Sequence, residues 1–429
     1  MGTTNLALAH GEMSKTVVIL GAGWAGLPLA HKLLKYTAKQ VSLKVILVSP
    51  NTHFFWNVAA TRGIIPDAIP DDQLFLPIEP AFASYPKEQF EFLLGSARSI
   101  DEVGNTVTVG TAGLGVDNKR EAQWETETET ERIVRYDHLV VATGSKMSGD
   151  LPLKPLGTHD ATLKLWHQLQ QTVKTAKTIV VSGAGGTGVE VAGELAARYG
   201  TDKKITLIVS GDTVLSSQHG LLPSVINIVE ADLGKLGVAL RKNTRVQNVV
   251  TEHGLTTNLT LSNGEVIQAD LYLPLHGIEL NTSFVPREML DAQGNLNLDA
   301  HLRVLNTENI WGIGDVGNIE AKQLTVTDNQ IIHLAAMLDK VLKEQQSASK
   351  AAKGDVVTVD AVKEEEGLVP YKPDGKVMAF ISLGKKHATG QIGNWKLFGF
   401  MVSWVKGRKL FVDTAQGYVG GKHLRHASM

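Results

Sequence analysis

Short, continuous apolar runs that end in glycine recur along the chain. Residues 16–20, TVVIL, are β-branched and uninterrupted, the pattern of a strand buried on both faces of a parallel sheet. A glycine turn follows, then the helical pattern LPLAHKLLKY and a second apolar run, LKVILVSP at 43–50. Together these make a βαβ unit of ordinary size, roughly 30 residues. Residues 90–141 read mostly as strand. Within them ETETETERIVRY (125–136) alternates with period two and has no apolar helical face. It fits a solvent-facing edge strand guarded by charge, or a loose acidic hairpin. It leads into DHLVVATGS (137–145), another buried strand ending in a glycine turn.

At residue 178 the pattern begins again: TIVVSGAGGTGVEVAGELAARYG reads strand, glycine turn, helix, and KKITLIVSG (203–211) is the next strand. LGVALRKNTRVQNV (236–249) and a hairpin over 259–275, turning at Asn263-Gly264, continue this second fold. NIWGIGDVGN (309–318) is a further strand and glycine turn, with a helical stretch to about residue 346. Residues 347–366 are small and charged and read as a linker, and 367–429 carry strand and helix signals of their own.

The glycine turns carry the chemistry. In Gly21-Ala-Gly23-Trp-Ala-Gly26 the first glycine permits a tight turn, the second admits a pyrophosphate to the backbone, and the third lets helix and strand pack closely. The pyrophosphate then rests on the positive end of the helix. The second strand of such a unit ordinarily ends in an acid that binds the adenosine ribose; here Ser49 stands at or beside that position, offering a hydroxyl without charge. Gly183-Ala-Gly185-Gly-Thr-Gly188, followed by Val189-Glu190, repeats the motif. Its second strand ends Val209-Ser210-Gly211-Asp212, which gives neither the acidic signature of NADH nor the basic one of NADPH. Asp315, after Gly314, suits a ribityl hydroxyl, and the alternative is a surface turn with an acidic cap.

Composition narrows the field. The 429 residues exceed one ordinary core, and a net charge of −2 argues against a nucleic-acid partner. There is no cysteine, which excludes disulfides, thiolate zinc sites and a redox-active dithiol. The 14 histidines show no metal spacing, and serine-hydrolase and zincin motifs are absent, so no metal site is expected. The first residues lack the apolar core of a signal peptide, Leu6 breaks the myristoylation pattern, and no apolar run reaches the roughly 18 residues of a membrane span. The expectation is a cytoplasmic protein.

The order GxGxxG, Val-Ala142-Thr143-Gly144-Ser, GxGxxGVE and NIWGIGD resembles that of the pyridine nucleotide-disulfide oxidoreductase superfamily. Lacking a cysteine pair, the chain resembles the branches that pass electrons elsewhere: type II NADH dehydrogenases and the apoptosis-inducing-factor family, within it the ferroptosis suppressor proteins and their fungal homologues. Residues 57–62 (NVAATR), 188–190, 222–225 (LPSV), 390–393 (GQIG) and 406–412 carry that likeness. It implies an α/β architecture of two Rossmann-type domains with a small α+β C-terminal domain. FAD would occupy 15–150 with 285–346, NAD(P)H 151–284, and the C-terminal domain 367–429 would follow the linker. The implied activity is ping-pong hydride transfer from NAD(P)H to flavin and on to an organic acceptor, a quinone by preference. Asn57 and Arg62 would lie near the flavin, Glu190 at the nicotinamide side, and Lys406 and Phe411 would approach the ring from the C-terminal domain. Gln330 stands where related quinone reductases place a polar residue near the flavin.

Plainer readings stand beside these. Arg62 fits a solvated helix face, Phe411 a core position, and Lys406-Arg408-Lys409 a solvated basic run. NWKLFGFMVSWVKGRKLFV (394–412) mixes aromatic and basic residues, which suits either peripheral contact with a membrane or a domain core with a basic edge. Rival functions are a tailoring flavoenzyme acting on a natural product or dioxygen, and a non-catalytic signalling protein. Anaerobic bleaching by NADH followed by an acceptor screen separates them.

Overall fold

The computed structural model describes residues 14–111, 130–252, 256–352 and 368–422. The first unit contains β1 (Lys15–Leu20), α1 (Gly26–Lys35), β2 (Leu43–Ser49), β3 (Phe90–Leu94) and β4 (His138–Val141). The second contains β5 (Thr178–Ser182), α2 (Gly186–Tyr199), β6 (Lys204–Ile208), β7 (Ala239–Arg241) and β8 (Leu271–Pro274). The chain then returns to the first sheet with β9 (Ile310–Gly312) and α3 (Leu324–Ala352). The resulting sheets are parallel, ordered β9-β4-β1-β2-β3 and β7-β6-β5-β8. Each is a doubly wound sheet whose ligand crevice lies beyond the carboxyl ends of its strands.

The apolar runs form these strands because both faces are covered. Val17, Val18, Ile19 and Leu20 are all buried, as are Ile179, Val180 and Val181. Register then fixes the crevices. Leu20 pairs with Val48 and Val141, so Gly21, Ser49 and Ala142 emerge together at one edge. Ser182 pairs with Ile208 and Pro274, so Gly183, Val209 and Leu275 emerge together at the other.

A third piece is smaller. β10 (Met378–Leu383), β11 (His387–Ile392) and β12 (Trp395–Leu397) form an antiparallel sheet, followed by a helical turn over Gly399–Val402, a π-helical turn over Ser403–Gly407 and a helix over Val412–Val419. This piece packs directly on α2. A Cβ on Gly193 would lie 2.5 Å from Leu383, so glycine is what permits the approach. In the 390–393 stretch, Gln391 is fully buried and clamps the 220–222 loop, accepting from the Leu222 amide and donating to the Gly220 carbonyl.

Three local expectations need adjustment. Of the alternating acidic segment only 130–136 are described, with Thr130–Arg135 as the regular element. That element is a strand paired antiparallel with Thr106–Thr111, and 125–129 lie outside the described residues. The helix expected to stop near 346 continues to Ala352, so the first residues read as linker are helical. The linker's remainder, from 353, lies outside the described residues. The hairpin turns at Gly264, φ +85°, between antiparallel strands Thr256–Leu261 and Val266–Ala269.

Candidate functional site: two dinucleotide crevices and a buried charge cluster

The two glycine turns have the same internal logic. Gly21 adopts φ +104° and Gly183 φ +101°, a region unfavourable to any residue with a Cβ. A Cβ on Gly21 would press on the Ala142 carbonyl, and one on Gly183 on the Leu275 carbonyl. A Cβ on Gly26 would collide with the Gly21 carbonyl, and one on Gly188 with that of Gly183. The first and third glycines are thus demanded by the protein itself. The middle ones are not. A Cβ on Gly23 would meet nothing within 4 Å, and one on Gly185 only Ser217 Oγ at 3.8 Å. A glycine with neither a positive φ nor a close neighbour leaves its space for a ligand that approaches the backbone.

Beside the first turn lies a cavity of about 770 Å³. Gly21, Gly23, Ser49, Asn57, Ala142, Thr143, Gly144, Gly314 and Asp315 all line it. Ser49 Oγ, at the end of β2, exchanges hydrogen bonds with the backbone of Asn51. Asn57 accepts from Trp24 Nε1 at 2.7 Å, fixing the indole of the glycine motif against the wall. Thr143 donates to the Asn281 carbonyl and Asn281 Nδ2 donates back to the Thr143 carbonyl, which holds the turn at Gly144 (φ +64°). Asp315 Oδ2 accepts from Ser145 Oγ at 2.6 Å and Lys154 Nζ at 2.8 Å. Burial alone raises its carboxyl; the charge and hydrogen bond of Lys154, with Ser145 and Lys322, outweigh this and hold it below the usual carboxylate range. The cavity therefore offers open backbone at Gly23, an ionised carboxylate and cations. This donor set fits a dinucleotide whose pyrophosphate meets the turn and whose sugar hydroxyls meet Asp315.

Four expected residues stand apart from this cavity. Gln330 Oε1 accepts from the Gly314 amide at 2.8 Å and Nε2 donates to Glu320, so it braces the turn that carries Asp315 from behind. Arg62 is buried and forms a bidentate pair with Glu194, both bonds 2.8 Å. It also donates to the carbonyls of Gly407 and Arg408. The expectation of a solvated face is corrected: the guanidinium is enclosed between α2 and the C-terminal piece. Lys406 Nζ donates to Glu190 Oε1 at 2.5 Å and to the Phe380 carbonyl at 2.8 Å, and Glu190 also accepts from the Ser382 amide. Lys406 is therefore no solvated lysine. Phe411 is half-buried against the core with φ 58° and is not among the cavity residues.

Glu190 and Glu194 lie one turn apart on α2, which places both carboxylates on the face that meets the C-terminal piece. The result is a buried cluster, Arg62–Glu194 and Lys406–Glu190, joining elements of all three regions. Burial raises the Glu194 carboxyl above its usual value, and Arg62 pulls it back only in part. Sequence reading missed Glu194, although its i, i+4 relation to Glu190 was visible. Ser145 lies within the 141–145 motif, but its bond to Asp315 carries no sequence signal; Lys154 and Lys322 were missed because their loops carry no periodic signal.

Paired doubly wound sheets with two open glycine cradles define a two-dinucleotide redox fold. The sequence profile of the pyridine nucleotide-disulphide oxidoreductase family matches residues 15–352, and the chain belongs to that family. It is an oxidoreductase whose cofactors are FAD and NAD(P)H. Among relatives, oxidoreductase ptaL of Pestalotiopsis fici is 39% identical over 412 residues, covering 96% of this chain and 100% of that protein. Human ferroptosis suppressor protein 1 is 27% identical over 408 residues, covering 93% and 94%. In fold, the sulfide:quinone oxidoreductase from Aquifex aeolicus superposes with a TM-score of 0.66 at 17% identity, covering 95% and 92% of the two chains.

Proposed function

We propose that the protein reduces a lipid-soluble acceptor of quinone type at the expense of NAD(P)H. FAD held by the Gly21–Gly26 turn and Asp315 supplies the two-electron chemistry that links a nicotinamide donor to such an acceptor. Gly185 and the N-terminus of α2 hold the donor's pyrophosphate, and Glu190 lies one turn further along the same helix. The sequence has no cysteine to relay electrons as a dithiol, so the acceptor takes them directly.

One observation carries the quinone reading. Trp395, Phe398, Phe400 and Trp404 are strongly exposed, Trp395 at 81%, and this apolar face leads straight into Lys406. Lys385, Lys386, Lys396, Arg408 and Lys409 fringe it and are exposed. Aromatic side chains with a basic fringe suit the headgroup boundary of an anionic membrane, where an apolar quinone dissolves. No helix among the described residues is long and apolar enough to cross a membrane, so contact through this face would be peripheral. In this reading Lys406 Nζ, fixed by Glu190 and the Phe380 carbonyl, is the group that would stabilise negative charge as it develops on an acceptor oxygen.

The test is anaerobic reduction with NADH or NADPH, followed by reoxidation with benzoquinones of increasing tail length, dioxygen, and no acceptor. Quinone reoxidation far faster than dioxygen reoxidation, improved by anionic vesicles, supports the reading. Comparable rates with dioxygen and indifference to quinone reject it in favour of an oxidase or tailoring activity. A chain that never bleaches is the signalling protein instead.

A further inference from the structure

We infer that Arg62 is a positioning residue: it caps the C-terminal turn that carries Lys406, and thereby sets where that ammonium stands. This rests on the proposed role of Lys406 and goes beyond it, because Arg62 acts through backbone carbonyls and without touching the cofactor cavity.

The turn has an unusual need. Ser403–Gly407 is a π-helical turn, closed by the Arg408 amide donating to the Ser403 carbonyl at 2.8 Å. Leu410 and Phe411 then turn left-handed, with φ 49° and 58°. The chain leaves its helical path there. The Val412 amide, which would serve the Arg408 carbonyl in a continuing helix, bonds the Lys409 carbonyl instead. Carbonyls left without a partner at a helix end require a donor from elsewhere. Arg62 supplies it, with Nη2 to Gly407 at 2.7 Å and Nη1 to Arg408 at 3.1 Å. The two capped carbonyls directly follow Lys406.

The donor must be a guanidinium. One planar fork donates to two carbonyls while Nε and Nη2 grip both oxygens of Glu194. Side-chain exposures of 6% for Arg62 and 3% for Glu194 shield the pair from bulk water. Glu194 therefore orients the fork, and the fork orients the turn. Glu190, one turn along α2, accepts the ammonium that the turn presents. A single helix face thus registers both the backbone and the side chain of the 406–408 segment.

The test compares Arg62→Lys, Glu194→Gln, Lys406→Gln and Arg62→Lys with Lys406→Gln. Lysine keeps the charge but cannot fork. Flavin content and hydrogen–deuterium exchange of peptides over 403–412 are read first. Faster exchange confined to 403–412, in both Arg62→Lys and Glu194→Gln with FAD retained, is the expected result. Unchanged exchange in that segment overturns the capping role, as does loss of FAD with exchange unaltered, which would place Arg62 at the cofactor. Steady-state turnover with a short-chain benzoquinone follows. Arg62→Lys should lower kcat/KM about tenfold, within the range that ångström-scale misplacement produces. The double variant should lose no more than Lys406→Gln alone, since both remove one placement. Losses that multiply would make Arg62 independent of Lys406 and overturn the inference. If Lys406→Gln alone is silent while exchange rises as expected, the cap stands and the proposed role of Lys406 falls.

Discussion

The middle glycines offer a test in which folding and cofactor binding come apart. Gly23 lies outside the positive-φ region, and an added Cβ meets no protein atom within 4 Å. Gly23→Ala should therefore leave the apo-protein unstrained, and the stiffer unfolded chain contributes about 0.4–1 kcal/mol in its favour. Gly26→Ala drives a methyl into the Gly21 carbonyl and should cost about 3 kcal/mol or more. In the loaded protein the order reverses in kind. A methyl in the pyrophosphate cradle costs about 1–3 kcal/mol of FAD affinity, taken from the usual penalty of overpacking. The middle of that range is roughly thirtyfold in Kd. At FAD one hundred times the wild-type Kd, the wild type gains about 2.7 kcal/mol from ligand binding and the variant only about 0.9. The assay is urea unfolding of deflavinated protein with and without added FAD, beside a flavin titration. Wild-type FAD affinity in Gly23→Ala, or apo-protein as unstable as Gly26→Ala, would refute the reasoning.

The remaining expectations are shorter. Gly185→Val should retain FAD yet lose bleaching by NADH and NADPH alike, measured anaerobically by stopped flow. Lys406→Ala should slow reoxidation by quinone; because Lys406 is bonded to Glu190 on α2, the helix proposed to hold the donor, flavin reduction should also change, by a smaller factor, in single-turnover experiments. Phe400→Ser with Trp404→Ser should lower co-sedimentation with anionic vesicles and leave turnover with a water-soluble quinone unaffected. His31 should make the fold acid-sensitive. Burial pushes its pKa down from 6.5 to about 4; the hydrogen bond to the Val419 carbonyl opposes this, and the nearby Lys35 charge adds to it. Between those values the unfolded chain binds a proton the folded chain refuses, so stability is lost as pH falls through the window, by roughly 3 kcal/mol at most. Urea midpoints from pH 7 to pH 4 should show this slope, and His31→Gln should flatten it.

The fold was largely legible because its signals are local. A β-branched run ending in glycine is a buried strand opening a helix wherever it stands, and the same pattern at 16 and 178 announced two such sheets. Positive φ at Gly21 and Gly183 follows from the turn alone. The charge cluster was not legible in the same way. Arg62 lies 132 residues from Glu194 and 345 from Gly407, and nothing in the spacing shows that a guanidinium will be enclosed and not solvated. Gln330 was expected beside the flavin ring; in the structure its side chain accepts from the Gly314 amide, a contact between residues 16 apart that the sequence pattern does not show. Lys154 sits in a proline-flanked loop whose path over the cavity is decided by tertiary packing.

The face of α2 that carries Glu190 and Glu194 also bears on how the chain assembles. Both carboxylates and Arg62 are synthesised well before residues 406–408, which complete the cluster. Until that last segment docks, one face of α2 presents two carboxylates against a single guanidinium, over a glycine groove meant for Leu383. A nascent chain or a C-terminal truncation would thus carry one unbalanced negative charge beside uncovered apolar surface. The final stretch of sequence acts as a keystone, and a chain without it is marked as incomplete by the surface it leaves open.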